Sequence, residues 1–332
     1  MFNKIFALIG GSGSWGQELT RQLLQKNVKK VIIFSRGEIS QVNMERTFSS
    51  PKIEYVIGDV RDTKALDMLF SKGIDCVIHL AALKHVPICE NQPREAIYTN
   101  IMGVLNVIDA VIRYKVKTYV DVSTDKAADP TNIYGMTKAV AEKLTIQANC
   151  QTSDSNFICI RSGNVLGTSG SVVPLIINQI KTKNEVTITN SSMTRFFYLL
   201  PSAIELLLFA IENGIGGETY VTNMPSFYLK DIINILVEFY GNGTTKINEI
   251  GAREGEKIHE VLITKHEVPR TKVINEHFII LPELKTNRSY PFIQSCKIPE
   301  YGLSSADNLK DKKYLRELLE NGGWLNGLDS RR

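Results

Sequence analysis

The chain has 332 residues, 43% apolar and 22% charged, with a formal net charge of +4. That length suggests one large or two moderate domains with a sizeable core, and so small a charge makes no case for nucleic-acid binding, although it suits an anionic ligand. Five scattered cysteines (Cys76, Cys89, Cys150, Cys159 and Cys296), none paired at metal-ligand spacing, predict reduced thiols, no metal and a cytoplasmic setting.

The apolar run Ile5–Ile9 enters a Gly turn directly, so it reads as a first strand rather than a signal peptide. A helix is expected over Ser14–Lys26, then strands at Val31–Phe34 and Ile53–Ile57, a helix over Thr63–Lys72 and a strand at Cys76–Leu80. A long helix from about Pro93 to Tyr114, a strand at Thr118–Val122, a helix over Tyr134–Ala148 and a strand at Phe157–Arg161 follow. Near-continuous apolar strands separated by helices predict an α/β fold, a Rossmann-type doubly wound parallel sheet over residues 1–162. Beyond Ser162 the rhythm breaks at Gly163, Gly167 and Gly170, which predicts a smaller, mainly substrate-binding domain over 163–332 with some segments returning to the first. An amphipathic helix is expected over Leu309–Leu319. No apolar stretch is expected to reach the roughly 20 residues that span a bilayer; Phe196–Ile211, the nearest, is interrupted by Pro201 and Glu205.

Gly10-x-x-Gly13-x-x-Gly16 follows a strand and opens a helix. In that context Gly10, Ser12, Gly13, Ser14, Trp15 and Gly16 line a dinucleotide pyrophosphate site; the alternative is a purely structural turn. The second strand ends Ser35-Arg36 where an acidic residue would bind a ribose 2′-hydroxyl, so a 2′-phosphate, and NADP over NAD, is expected. Asp59, beside Val60, reads as an adenine contact or as a helix cap. Leu80, Ala81 and Ala82 are small or apolar where the cofactor must lie close.

Tyr134 and Lys138 are four apart and share a helix face. Lys138 can hold the ribose and lower the Tyr134 pKa, so that Tyr134 takes a proton from a sugar hydroxyl that Thr124 hydrogen-bonds. Asp125 and Lys126 supply an acid and a base that a simple dehydrogenase does not need and that suit elimination of water; the alternative is a loop-capping turn. A neutral Lys126 and a protonated Asp125 require burial or proton sharing.

These residues resemble the extended short-chain dehydrogenase/reductases. Within them the chain is similar to UDP-N-acetylglucosamine 4,6-dehydratases of the inverting, pseudaminic-acid-pathway type. The resemblance is carried from about residue 4 to 310 by Gly10–Gly16, Phe34-Ser-Arg36, Gly58-Asp-Val-Arg-Asp62, Ala81-Ala-Leu-Lys-His-Val-Pro-Ile-Cys-Glu90, Ser123-Thr-Asp-Lys-Ala127, Arg161-Ser-Gly-Asn-Val165, Met193-Thr-Arg-Phe196 and Gly255-Glu-Lys-Ile-His-Glu260. It implies C4 oxidation by Tyr134 and NADP, C5 deprotonation by Lys126, protonation of the departing C6 hydroxyl by Asp125 and return of hydride to C6. It also implies that Lys84 lies near the cofactor and substrate, and that His85, Asn164, Arg195, Arg253 and Glu256 contact the UDP-amino sugar, with His85 and the arginines open to a local structural role. Dimers or higher homo-oligomers follow from the same resemblance. The segments Val221-Thr-Asn-Met-Pro-Ser226 and Arg253-Glu-Gly255 depart from the family pattern and bear on the choice of sugar. Sister activities remain open: a 5,6-dehydratase, an oxidase/reductase acting on its product, a C4 or C5 epimerase, or a non-catalytic NADP-binding regulator.

Overall fold

Alternate residues of the first strands point to opposite faces of one sheet, and each face has its own core. Phe6, Leu8, Val31 and Ile33 pack with Leu19 and Leu23 on one side. Ala7, Ile9, Ile32 and Phe34 pack with Leu66, Leu69 and Val107 on the other. Strands apolar on both faces are what a parallel sheet covered by helices requires. The structure, a computed structural model, describes residues 3–168, 170–284, 288–291 and 298–325. Cys296 lies outside them; Cys76, Cys89, Cys150 and Cys159 are free thiols.

The first half runs β1 (Ile5–Ile9), α1 (Ser14–Gln25), β2 (Lys30–Ser35), α2 (Glu38–Phe48), β3 (Ile53–Ile57), α3 (Thr63–Phe70) and β4 (Cys76–His79). It continues with α4 (Val86–Asn91), α5 (Pro93–Ile97), a π-helical turn at Tyr98–Met102, α6 (Gly103–Arg113), β5 (Thr118–Thr124), α7 (Ile133–Ala148) and β6 (Asn156–Ser162). Then come β7 (Asn164–Leu166), α8 (Val172–Lys183), β8 (Glu185–Ile188), β9 (Thr194–Leu199), α9 (Leu200–Asn213), β10 (Thr219–Thr222), β11 (Ser226–Tyr228), α10 (Leu229–Tyr240) and β12 (Lys246–Glu249). The last elements are β13 (Val261–Thr264), β14 (Thr271–Ile274), β15 (His277–Ile280), β16 (Gly302–Ser304) and α11 (Lys312–Asn321).

The central sheet has nine strands in the order β3-β2-β1-β4-β5-β6-β10-β15-β14. From β3 to β10 every pairing is parallel, and β15 is antiparallel to both its neighbours. This is the expected doubly wound α/β architecture. Its winding reverses between β1 and β4, the switch point at which such sheets bind ligands beyond the strand C-termini. Three smaller sheets (β11-β9-β7, β12-β8 and β13-β16) belong to the second half. There Val173, Ile176, Ile232, Leu236, Leu315 and Leu319 form a third core.

Three expectations need correction. Helix α2 was not expected, because its pattern buries only Gln41 and Met44. The long helix is interrupted by the π-turn, which puts Asn100 against the loop after β4: its side chain accepts from Leu83 N at 2.8 Å and donates to Leu83 O at 2.9 Å and Thr137 Oγ1 at 3.0 Å. Finally, the 21-residue run Pro93–Arg113 is by length and composition long and apolar enough to span a bilayer, contrary to the expectation that no stretch is. Half of it is buried, and its Val104, Val107 and Val111 sit in the sheet core.

Candidate active site

A cleft of about 970 Å³ opens over the C-terminal ends of β1, β2, β4 and β5. Its floor begins at the Gly turn. Gly10 has φ +79° and lies so close to the β4 loop that a Cβ there would meet Ala81 N at 2.6 Å. Gly13, the N-cap of α1, has no side-chain cap, and a Cβ on it would meet nothing nearer than Gly10 O at 3.6 Å. The first turn of α1 thus presents its backbone donors to open cleft space that only a missing side chain provides. That geometry fits a dinucleotide pyrophosphate. Ser12, Ser14, Trp15, Gly16, Val60, Leu80, Ala81 and Ala82 line the same cleft.

At its far end Ser35 is held by Gln41, whose Nε2 donates to Ser35 Oγ at 2.9 Å and to Val56 O at 2.9 Å. The Arg36 side chain is half exposed, 3.7 Å from Asp59. Burial works to raise the Asp59 pKa, but the fork of Arg61, at 2.7–3.1 Å, holds it below the ordinary value. Asp59 is no helix cap; Asp62 caps α3 by accepting from Lys64 N and Ala65 N.

The end of the cleft that holds Thr124, Lys126, Tyr134 and Lys138 is built where β5 runs into a 3₁₀ turn, Asp125–Ala127, and then α7. Asn132 caps α7 by accepting from Gly135 N at 2.9 Å, and Glu90 accepts from Ile133 N at 2.6 Å. These bonds fix the helix start that carries Tyr134 and Lys138. Lys138 is buried and donates to both oxygens of Asp121, at 3.1 and 3.0 Å. Asp125 is fully buried; Thr124 Oγ1 donates to its Oδ1 at 3.0 Å. Lys126 stands between two carboxylates, Asp125 Oδ1 and Glu260 Oε1, each at 3.1 Å.

The electrostatics follow from that packing. Burial raises the Asp125 pKa, against the pull of Lys126. Burial also works against the Lys126 ammonium, yet Asp125 and Glu260 together hold its pKa above the ordinary value. Tyr134 departs from expectation: burial raises its pKa, and the opposing Lys138, Lys126 and Thr124 do not reverse the shift. The protein side chains alone do not produce the lowered phenol expected from the Tyr134–Lys138 spacing.

Thr124, Lys126, Tyr134, Lys138, Lys84, His85 and Asn164 all reach the cleft. Arg195, Arg253, Glu256 and Asp125 do not line it. Arg195 is buried, and its guanidinium donates to the carbonyls of Thr194, Ile258 and Lys257 at 2.7–3.0 Å. Arg253 is exposed, and its backbone N–H donates to Glu256 Oε2 at 3.1 Å. Residues 253–260 instead pack against the loop between Asp125 and α7. Gly255 O accepts from Thr131 Oγ1 at 2.8 Å and Asn132 Nδ2 at 3.1 Å, and Glu260 reaches Lys126. Glu260 closes the motif Gly255-Glu-Lys-Ile-His-Glu260, but nothing in that motif points to Lys126. Asp121 carried a signal, as a carboxylate inside an otherwise apolar strand.

Residues 7–282 match a family model described as polysaccharide biosynthesis protein. The chain belongs to that family. It is an extended short-chain dehydrogenase/reductase, a group that includes nucleotide-sugar epimerases and dehydratases. This member of the polysaccharide biosynthesis family is 39% identical over 284 residues to a UDP-glucose 4-epimerase of Rickettsia canadensis, covering 84% of this chain and 83% of that one. It is 36% identical over 325 residues to a Methanocaldococcus jannaschii protein described as an uncharacterized membrane protein, covering 95% and 96%. The X-ray structure of Pen from Bacillus thuringiensis superposes with TM-score 0.91 at 39% identity, over 98% of this chain and 99% of that one. DesIV, a dTDP-glucose 4,6-dehydratase from Streptomyces venezuelae solved with NAD, shares the fold at 20% identity, with TM-score 0.71 over 76% and 86%.

Proposed function

We propose that this enzyme is a UDP-N-acetylglucosamine 4,6-dehydratase that yields a 4-keto-6-deoxy sugar, with inversion at C5. One observation carries the reading: a buried carboxyl, Asp125, and an amine, Lys126, share a 3.1 Å contact beside Tyr134. A nicotinamide cofactor held by Gly10, Gly13, Ser35, Arg36, Asp59 and Lys138 supplies a hydride acceptor and donor when bound. The remaining work falls to protein side chains. Tyr134 takes the proton of the C4 hydroxyl. Moving one proton from Lys126 Nζ to Asp125 Oδ1 produces a neutral amine and a carboxylic acid in a single step, without changing the charge of the pair. The amine then takes the C5 proton. The acid, which does not itself line the cleft, passes its proton to the leaving C6 hydroxyl through Thr124 Oγ1, hydrogen-bonded to Asp125 at 3.0 Å. A hydride returned to C6 and a proton added at C5 from the face away from Lys126 would complete the inverted 4-keto-6-deoxy product. Burial of Asp125 favours that transfer, whereas Glu260 opposes it by stabilising the ammonium.

The cofactor we assign is NADP, on the strength of Ser35 and Arg36 and with no acid at the end of β2. Lys84, His85 and Asn164 are assigned to the sugar end. The same reading gives a cytoplasmic homo-oligomer whose residues 163–332 mainly bind substrate. A second reading, 4-epimerisation, is favoured by the names of the Rickettsia relatives. It leaves Asp125 and Lys126 without work, since hydride return to C4 needs no acid–base pair.

Incubation with UDP-N-acetylglucosamine in deuterated water, followed by NMR, separates the two. The dehydratase forms a 4-keto-6-deoxy product with deuterium at C5; an epimerised sugar without C5 label would overturn the reading. Lys126→Met is expected to lower product formation by roughly 100- to 10,000-fold, the range of a lost general base, and to abolish C5 exchange. Arg36→Ser should weaken NADP binding by roughly tenfold or more while NAD binding changes by less than about twofold, as expected for losing a charged hydrogen bond. Calorimetry with each cofactor checks this, and equal losses would remove Arg36 from 2′-phosphate recognition.

A further inference from the structure

Lys138 has a partner that the Tyr134–Lys138 pairing does not call for. Asp121, on β5, lies under it with both oxygens at 3.0–3.1 Å, and the two side chains are 0% and 3% exposed. The strand register shows what else surrounds that carboxylate. His79 of β4 and Cys159 of β6 are its cross-strand neighbours, and Tyr119 precedes it by two on the same strand face. None of these supplies a counter-charge at neutral pH. Burial pushes the His79 imidazole down to about 4, and its Nδ1 lies 2.9 Å from Tyr119 Oη. Burial likewise keeps the Cys159 thiol and the Tyr119 phenol protonated. Glu142, which faces Cys159, is taken by Arg161 at 2.6 Å. From the helix side Lys138 faces Tyr134, which in turn faces Lys126 and Asp125. Asp121 is therefore the one carboxylate within ion-pair distance of Lys138 among the described residues.

We propose that Asp121 is a positioning residue for the Tyr134 proton transfer, a counter-ion set in the sheet floor that holds the Lys138 ammonium in place beneath the cleft. The physical need is plain. A lysine this buried loses its proton when nothing balances it. A neutral Lys138 would no longer draw the Tyr134 phenol toward ionisation. Burial works against the Lys138 charge, and Asp121, the foremost of the groups that oppose it, offsets burial together with Tyr134 and Cys159. The ammonium contacts both carboxylate oxygens, and Lys138 itself lines the cleft. The inference rests on Tyr134 and Lys138 acting as proposed above, but not on which sugar is bound.

The test is [ε-¹³C]lysine NMR, with Lys138 assigned by its absence from Lys138→Met. In the wild type Lys138 is expected to stay an ammonium up to at least its ordinary value of 10.5. In Asp121→Asn it is expected to become a neutral amine at least about two pH units lower, the direction seen for buried lysines without a partner. The rising limb of kcat against pH should then move up by about one unit, a loss of about tenfold at neutral pH with KM nearly constant. Identical Lys138 titrations in the two proteins would overturn the proposal, even if Asp121→Asn melts earlier. Should that variant not fold, the wild type alone decides: an amine near pH 8 overturns the proposal, and an ammonium above pH 10 supports it. No sugar is present in the NMR titration, so failure of the dehydratase reading leaves its outcome legible.

Discussion

Tyr134→Phe is expected to lower turnover by about 1,000-fold or more, within the range for a lost proton-transfer group. The phenol lines the cleft beside Thr124, Lys126 and Lys138, and the substitution removes only its oxygen. The ring keeps its packing on α7, so cofactor affinity and melting temperature should stay within experimental error of the wild type. Loss confined to kcat would place the missing interaction in the transition state. A non-catalytic regulator would show no such loss, and a variant retaining more than a tenth of wild-type turnover would remove Tyr134 from the chemistry. The C5 label in deuterated water adds a second readout: without oxidation at C4 the C5 proton is not acidified, so exchange should vanish together with turnover.

The second large effect is on stability. Arg161 is 3% exposed and holds two buried carboxylates: Glu142 at 2.6 and 3.1 Å and Glu267 at 2.9 Å, with Leu262 O at 2.9 Å. Arg161→Ala leaves both carboxylates facing an empty space, a loss of about 3–5 kcal/mol for a broken buried ion cluster. Chemical denaturation at pH 7 measures it. The pH dependence has a definite sign. Burial works to raise the Glu267 pKa, but Arg161 pulls it down to about 2, below the ordinary 4.5. In the wild type this contribution is complete above about pH 4.5 and fades as pH falls toward 2. The deficit of Arg161→Ala should therefore narrow as pH falls from 7, first because burial without Arg161 raises the stranded carboxyl and lets it take a proton above pH 4.5, then because the wild-type contribution fades below it. A deficit constant from pH 7 to pH 4 would show that lost packing, not charge, sets the cost. Replacing the cluster together, with Arg161→Met, Glu142→Leu and Glu267→Leu, should recover most of the loss.

Much of this fold is legible along the chain because its parallel strands are mostly apolar, with few polar residues such as Asp121 among them. Ile5–Ile9 and Ile53–Ile57 are found where the pattern puts them, and β5 and β6 extend only to Thr124 and Ser162. Helix α2 escapes because a polar glutamine supplies half of its buried face, holding Ser35 and Val56 instead of packing in a core. The π-turn at Tyr98–Met102 depends on Asn100 meeting Leu83, a tertiary contact with no local signature. The same division holds in the cleft. Gly10–Gly16, Thr124–Lys126 and the Tyr134–Lys138 pair carry their geometry in short spacings. Arg195 does not: an arginine that faces three backbone carbonyls and one that clamps a phosphate look alike until the chain is folded. Nor could spacing show that Glu260 would arrive from the second half to share Lys126 with Asp125, or that burial would outweigh Lys138 at Tyr134.

The strap formed by residues 253–260 links two properties that an engineer would wish to vary separately. It lies in the half of the chain where the departures from the family pattern fall, yet it bonds Thr131 and Asn132 at the head of α7 and places a carboxylate on Lys126. A substitution there that moves Gly255 or Glu260 should shift the head of α7 and the charge balance around Lys126 together. Variants of this strap should therefore show shifted pH profiles along with altered rates, and a library confined to it will not tune one without the other.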